Sequence, residues 1–431
     1  MNKKFLILPA LAASLFACAQ QGKKPAASTI DVNEVRRVET ALASDEMRGR
    51  RAGTPDIDRA ADYIAAEFKK AGLQPVKGNT YLQEFSMVKA SPKSMKVELD
   101  GQVWEPGEVV LLSTQKEVKI DEGSGYPVQY IKAGENYRQR VQALLREEES
   151  MVVLVDTSFA KNFSRLNGLR GQQFPSSTNV LFLLGTTMPA KFSVKAEQTI
   201  DEVKYRNVVG ILPGKSRKNE YVIFSGHYDH LGVAKAPQNG DSIFNGANDD
   251  AAGTTAVILL AQHYAKQKNN ERTLVFAAFT AEEVGGFGSQ YFSKQYDPAQ
   301  VMAMFNIEMI GTESKWGKNS AYITGFEKTN MGEILQRNLE GTGFAFHPDP
   351  YTTQQLFYRS DNATLARLGV PAHTISTSKM DTEPNYHKLS DEVGTLDLEN
   401  MAEIIRSIAL SAQSIISGKD TPTRVKVEDL R

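Results

Sequence analysis

The chain has 431 residues, 41% hydrophobic and 23% charged, with a formal net charge of -1. This is the composition of a globular protein large enough for a full core and more than one structural unit. A charge so close to zero gives no footprint for nucleic acid or for an acidic membrane surface, and nothing after residue 20 has the apolar length needed to span a bilayer.

The N-terminus stands apart. "MNKKFLILPALAASLFAC" places Lys3 and Lys4 before an apolar stretch from Phe5 to Ala17 and the single cysteine, Cys18. In outline this is a secretory signal. Its end, Leu15-Phe16-Ala17-Cys18, resembles the lipobox of bacterial lipoproteins, which implies a signal peptide over 1–17 and acylation of Cys18. Residues 18–30 then form a lipidated polar tether, and the lipid is the only membrane contact expected, on a bacterial cell envelope. A lone cysteine forms no internal disulfide, so stability rests on core and metal.

Beyond the tether, apolar residues at Ile57, Ala60, Ala61, Ile64, Phe68 and Ala71 have helical spacing. Thr54 reads as the N-cap, Pro55 as first turn and Gly72 as the stop. Residues 87–200 break the rhythm. "KVELDGQVWEPGEVVLL" alternates like antiparallel strands, "QRVQALLREEE" reads as a helix, and "MVVLVD" and "NVLFLLG" read as strands. This stretch is expected to be an inserted α+β subdomain. From Tyr205 strands and helices alternate: "YVIFSGH", "RTLVFAAFT", "VMAMFNIEMIG" and "PAHTIST" as strands, "AAGTTAVILLAQHYAKQ" and "MGEILQRNLEGTG" as helices. A final helix is marked by Met401, Ile404, Ile405, Ile408, Ala412 and Ile415. The alternation predicts an α/β fold with a mostly parallel central sheet flanked by helices. That unit is divided between 31–86 and 201–418, with 419–431 as a tail.

The polar residues at the strand ends carry the chemistry. His227 closes "YVIFSGH" at the carboxyl end of an interior strand, where open α/β sheets place their sites. Asp229, two residues on, is placed to orient its imidazole. "NGANDDAAG" adds Asp249 and Asp250, although an acidic helix cap or a calcium loop would also fit it. Glu282 and Glu283 stand side by side after a third strand, Glu308 after a fourth, and Tyr386-His387 in a loop after the last. Two histidines and several carboxylates at one sheet edge suit zinc or a similar divalent ion. Five protein ligands exceed the need of one open catalytic ion and fit two ions sharing a carboxylate.

In this order, "GHYDHLG", "NGANDDAAG", "TAEEVGGFGSQYF", "NIEMIG" and "YHKLSD" resemble the di-zinc aminopeptidases, a family that also includes glutamate carboxypeptidase and the glutaminyl cyclases. "LASDEMRGRRAGTPDIDRAADYIAAEFKKAGLQP" and "RNVVGILPG" extend the resemblance, which covers about 35–85 and 203–415. It implies a zinc-exopeptidase fold and two Zn2+ ions per chain. His227 and Glu308 would hold one ion, Glu283 and His387 the other, and Asp249 would bridge them across a cis bond to Asp250. Glu282 would be the general base toward a metal-bridging hydroxide, and Tyr386 a donor to the oxyanion. The substrate would be a peptide with a free N-terminus. The family usually carries aspartate at the position of Glu308.

Lesser candidates surround this set. Asp391 reads as a partner of His387 or a helix cap, and Arg359 and Asp361 in "YRSDNA" match a segment near the family's substrate pocket. His230 reads as a residue of the site mouth or of a solvent-facing turn. His263, His347 and His373 read as structural, and Met302, Met304 and Met309 as core. A single-zinc glutaminyl cyclase, a carboxypeptidase or dipeptidase, and a binding protein on the same scaffold are the competing readings. Retention of Glu282 and of "GHYDH" leans against the first and the last.

Overall fold

The computed structural model describes residues 30–104, 107–238 and 240–430. The signal peptide over 1–17, Cys18 and the tether up to residue 29 lie outside the described residues.

In chain order the principal elements begin with helices α1 (Val32–Leu42) and α2 (Asp56–Ala71). Strands β1 (Leu82–Leu99), β2 (Val109–Ser113) and β3 (Val128–Ile131) follow, then α3 (Tyr137–Arg146), β4 (Met151–Val155) and β5 (Asn179–Leu184). Next come β6 (Phe192–Leu212), β7 (Arg217–His227), α4 (Ala252–Gln267), β8 (Arg272–Phe279) and α5 (Phe287–Ser293). The chain continues with β9 (Val301–Ile307), β10 (Ser320–Ile323), α6 (Met331–Asn338) and β11 (Ala345–Pro348). It closes with α7 (Asn362–Ala366), β12 (Ala372–Ser376) and α8 (Leu398–Ser411).

An 11-stranded sheet organises the molecule, in the order β11-β10-β12-β9-β7-β8-β6-β1 with three short strands beside it. Its centre is parallel: β7 pairs with β8 and β9, and β9 with β12. Antiparallel pairs flank it, β8 against β6 and β6 against β1 on one side and β12 against β10 on the other, where the outermost pair, β10 with β11, is parallel again. The sheet is therefore mixed, with parallel strands where βα connections link them and antiparallel ones where the chain leaves and re-enters through β1 and β6. Those two strands pair from Leu82 to Leu99, so the boundaries at 87 and 200 fall inside continuous strands. Between them lies a separate four-stranded sheet, β2-β5-β4-β3, with its own apolar clusters around Leu181 and Val153.

Alternating side chains of the central strands feed two cores. Val222, Phe224, Phe276 and Phe305 face α1, α2, α4 and α8, whereas Ile223, Val275 and Met304 face the layer of α5 and α7. This is the two-residue period of a sheet covered on both sides. Helix α4 is buried nearly all round, as its sequence of small and apolar residues requires. Helix α2 stops at Gly72 in the left-handed conformation, φ 81°. Its start differs from expectation: Pro55 occupies the cap position, and the Thr54 hydroxyl donates to the Arg51 carbonyl instead. The C-terminal residues are tied down, with Val425 buried and Arg424 donating to the Val301 and Pro298 carbonyls.

The start of α4 presses on the end of β9. A Cβ on Gly253 would lie 2.0 Å from the Ile307 carbonyl oxygen and 2.4 Å from an Asp250 carboxylate oxygen. Both neighbours are fixed, so Gly253→Ala is expected to destabilise the fold by about 1–3 kcal/mol in urea unfolding. Wild-type stability in this variant would mean that helix and strand can part.

Candidate metal centre

The carboxyl ends of β7, β8, β9 and β12 lie side by side, and each leads into a turn that presents a donor. His227 is the last residue of β7. Glu282 and Glu283 follow β8 through Ala281 at φ 61°, Glu308 precedes Met309 at φ 53°, and His387 itself has φ 56°. Left-handed conformations at three non-glycine residues, each within two residues of a donor, mark backbone held against its local preference. The Asp249–Asp250 peptide is cis.

These turns bring two groups of donors together. Ligand atoms of His227, Asp249 and Glu308 lie within 4.8 Å of one another, as do those of His230, Asp249 and Glu283. Asp249 is common to both. His227 Nε2 is 3.2 Å from one of its oxygens, and His387 Nε2 is 3.3 Å from the other and 3.1 Å from Glu283. His230 Nδ1 lies 2.8 Å from the second Glu283 oxygen.

A shell of carboxylates holds the loops through main-chain amides. Asp250 accepts from His227 N, Gly253 N and Met309 N at 2.9–3.1 Å, joining the ends of β7 and β9 to the start of α4. The Asp229 carboxylate accepts from Glu282 N and Glu283 N, and its carbonyl, rather than its side chain, faces His227 Nδ1 at 3.2 Å. Asp391 is neither a partner of His387 nor a helix cap. It accepts from Asn248 N at 2.8 Å and Asp249 N at 3.0 Å, and so orients the shared aspartate. Its position after the "YHKL" loop pointed toward His387, but only the folded chain brings it to residues 248–249.

The electrostatics distinguish the two neighbouring glutamates. Burial pushes Glu283 up, yet its hydrogen bonds with His230 and His387 outweigh this and hold it at about 2. Glu282 is pushed well above the ordinary carboxylate range by burial, opposed by His227 and reinforced by Glu308, Asp361 and Asp229. Glu308 is raised to about 7, chiefly by burial. Burial raises Asp249 too, but its contacts with His227 and His387 depress it overall.

The donor set fits a pair of zinc ions: imidazole nitrogen and carboxylate oxygen without thiolate, one carboxylate shared. His227 Nε2, His230 Nε2 and one Asp249 oxygen are buried without a hydrogen-bond partner among the described residues. Such atoms are costly unless something satisfies them, and divalent cations would.

Beside the clusters opens a cavity of about 250 Å³, lined by Glu282, Tyr322, Leu356, Arg359, Met380 and Tyr386 among others. Tyr386 stacks on His387 with ring centroids 4.0 Å apart. Arg359 lines the cavity wall. Asp361 does not line it and is buried at 2% exposure. His230 is neither at the mouth nor solvent-facing. At 1% exposure it stands against Glu283, a placement missed because a turn residue directly after Asp229 gives no period to read. His373 is a satisfied sheet residue, bonded to the Thr324 carbonyl and the Thr329 hydroxyl at 2.8 Å each. His347 stacks on Trp316, and Met309, though buried, lines the cavity.

Two measurements probe this arrangement. Asp391→Ala is expected to weaken zinc binding about 10- to 100-fold in competition with a chelating dye, and an unchanged affinity would leave Asp391 a role in folding alone. Asp249 and Glu283 push His387 from 6.5 up to about 10. Its proton thus stabilises the metal-free fold below about 6.5, a contribution lost as pH rises through about 10. Zinc binding there displaces that proton, so affinity rises with pH and titration at neutral pH releases acid. Uptake without proton release would exclude His387 as a ligand.

The chain also has relatives. A probable leucine aminopeptidase of Trichophyton verrucosum (strain HKI 0517) is 27% identical over 218 residues, 48% of this chain and 57% of that one. A probable zinc metalloprotease of Pyrenophora teres f. teres (strain 0-1) is 35% identical over 123 residues, 28% of this chain and 26% of that one. The chain therefore spans little more than half the length of the first relative and about a quarter of the second. The solved aminopeptidase from Aneurinibacillus sp. strain AM-1 superposes with a TM-score of 0.54 at 16% identity, covering 94% of this chain and 97% of that one, which shows a shared fold. Residues 207–412 match the sequence profile of peptidase family M28. That span contains all the metal-facing side chains described above.

Proposed function

We propose that the protein is a zinc-dependent aminopeptidase that releases residues from the free N-terminus of peptides. The observation that carries this reading is the separation of roles at "AEE". Glu283 belongs to a donor cluster, whereas Glu282 lines the same cavity and belongs to neither. His227, Asp249 and Glu308 would hold one ion, and Asp249, Glu283 and His387 the other, with His230 beside it. When bound, the ions supply a Lewis acid for the peptide carbonyl and lower the pKa of water.

The remaining work falls to this chain's own groups. Glu282 is partly buried, and its raised proton affinity suits a carboxylate that takes a proton from attacking water and delivers it to the leaving amine. The Tyr386 phenol is kept protonated by burial and can donate to the developing oxyanion. The surrounding carboxylates favour a substrate that brings a positive α-amino group into the cavity. The name of the fungal leucine aminopeptidase supports the same reading.

The lipobox-like end at Cys18 supports an envelope protein tethered to a bacterial membrane by lipid alone. For the chain's organisation we propose a catalytic unit of 31–86 and 201–418, an inserted subdomain of 87–200 whose two ends run within β1 and β6 of the main sheet, and a tail of 419–431.

Glu282→Gln is expected to keep both metals while turnover of an aminoacyl anilide falls about 10²- to 10⁴-fold. Undiminished turnover would remove Glu282 from the mechanism. Equal cleavage of an N-acetylated peptide would remove the aminopeptidase reading and leave the metal centre standing.

A further inference from the structure

Arg50 and Arg272 are the largest fully buried side chains among the described residues, and Arg50 has 0% of its surface exposed. A guanidinium so placed loses all its hydration and must be repaid by directed acceptors. Four of them are present, all main-chain carbonyls. Nε donates to Tyr228 O at 2.8 Å, Nη1 to Leu42 O at 2.7 Å and Asn245 O at 2.6 Å, and Nη2 to Gly246 O at 2.8 Å. Tyr228 stands between His227 and Asp229, and Gly246 opens the turn that carries Asp249.

The Arg50 main chain takes part as well. Its carbonyl accepts from His230 N at 3.2 Å. Arg48, Gly49 and Arg50 run through left-handed conformations at φ 49°, 65° and 48°. This tight turn brings Gly49 so close that a Cβ there would lie 2.3 Å from the Gly232 carbonyl. Burial disfavours the charge, and the nearby carboxylates of Glu39, Asp391, Asp229 and Asp249 oppose that penalty in part.

We infer that Arg50 is the positioning residue of the metal centre: one guanidinium joins the loop that carries His227 and His230 to the loop that carries Asp249, and holds both in register before any metal arrives. It touches no donor atom and acts through the backbone. The residue lies outside the stretch that matches the family profile. Lysine cannot replace it, because four carbonyls around a planar fork exceed the three donors of a single ammonium nitrogen.

The inference rests on the metal-binding role of His227 and Asp249, and the test separates the two. Full-length wild type and Arg50→Lys are compared well below the unfolding temperature of both metal-free forms, by zinc competition and by the absorption spectrum of the cobalt(II)-substituted protein. The expected result is a folded variant whose zinc affinity is at least tenfold weaker and whose cobalt spectrum is shifted. A residue needed only for folding would lower the unfolding temperature and leave both readouts unchanged, which overturns the inference. If wild type itself binds no metal, the metal centre fails, not Arg50 alone.

Should Arg50→Lys not fold, hydrogen exchange on wild type answers the same question. The His230 and Asp249 amides are expected to be as protected in the metal-free protein as in the loaded one. Rapid exchange confined to the metal-free form would overturn the inference.

Discussion

Mutual repulsion of buried carboxylates is the constraint on which this molecule is built. Asp229, Asp249, Asp250, Asp361 and Asp391 are buried at one sheet edge, with Glu282, Glu283 and Glu308 beside them. Anions this close can coexist only if each is neutralised, hydrogen-bonded or protonated. The structure uses all three solutions. Main-chain amides satisfy Asp229, Asp250 and Asp391, imidazoles face Asp249 and Glu283, and Glu282 and Glu308 are shifted toward the protonated form. The amides in question belong to the turns that carry the donors, so neutralising the charge and shaping the site are one act.

The same constraint explains how much could be read from sequence. His227, Asp249, Glu283, Glu308 and His387 each sit in a local pattern that the eye can find, a strand end or a turn before a helix, and the chain brings them together. The central strands and α4 were equally legible, because burial on both faces writes long apolar runs. What sequence could not show was who faces whom among the supporting groups. Asp391 was visible as an acid near His387, yet the amides it serves lie more than a hundred residues away in the chain. His230 looked like a turn residue because nothing local records that Glu283 approaches it. Arg50 sat unremarked in "EMRGRR", since main-chain carbonyls leave no trace in a sequence.

The flanks of the sheet follow the same logic. Alternation predicts parallel strands wherever a helix returns the chain, and β7, β8, β9 and β12 obey. The long pair β1 and β6 is joined by the separate unit of residues 100–191 and not by a crossover helix packed on the main sheet, and it lies antiparallel. A period of two reveals a strand but not its direction.

That departure also reaches back to the site. Gln173 forms reciprocal main-chain bonds with Val88 at 2.8 and 2.9 Å, and the Tyr205 hydroxyl donates to Gln172. Phe174 thereby joins an aromatic group with Phe85, Phe287 and Tyr291, under the ammonium of Lys294 at 5.0 Å. Ala281, the left-handed residue before Glu282, is buried in this same cluster. The turn that separates the two glutamates is thus backed by apolar packing drawn from β1, β6, α5 and the inserted segment. A strained residue persists only where its surroundings over-determine it. At Ala281 those surroundings come from these four stretches and from Ala52, so the insert helps to keep Glu282 and Glu283 pointing to different tasks.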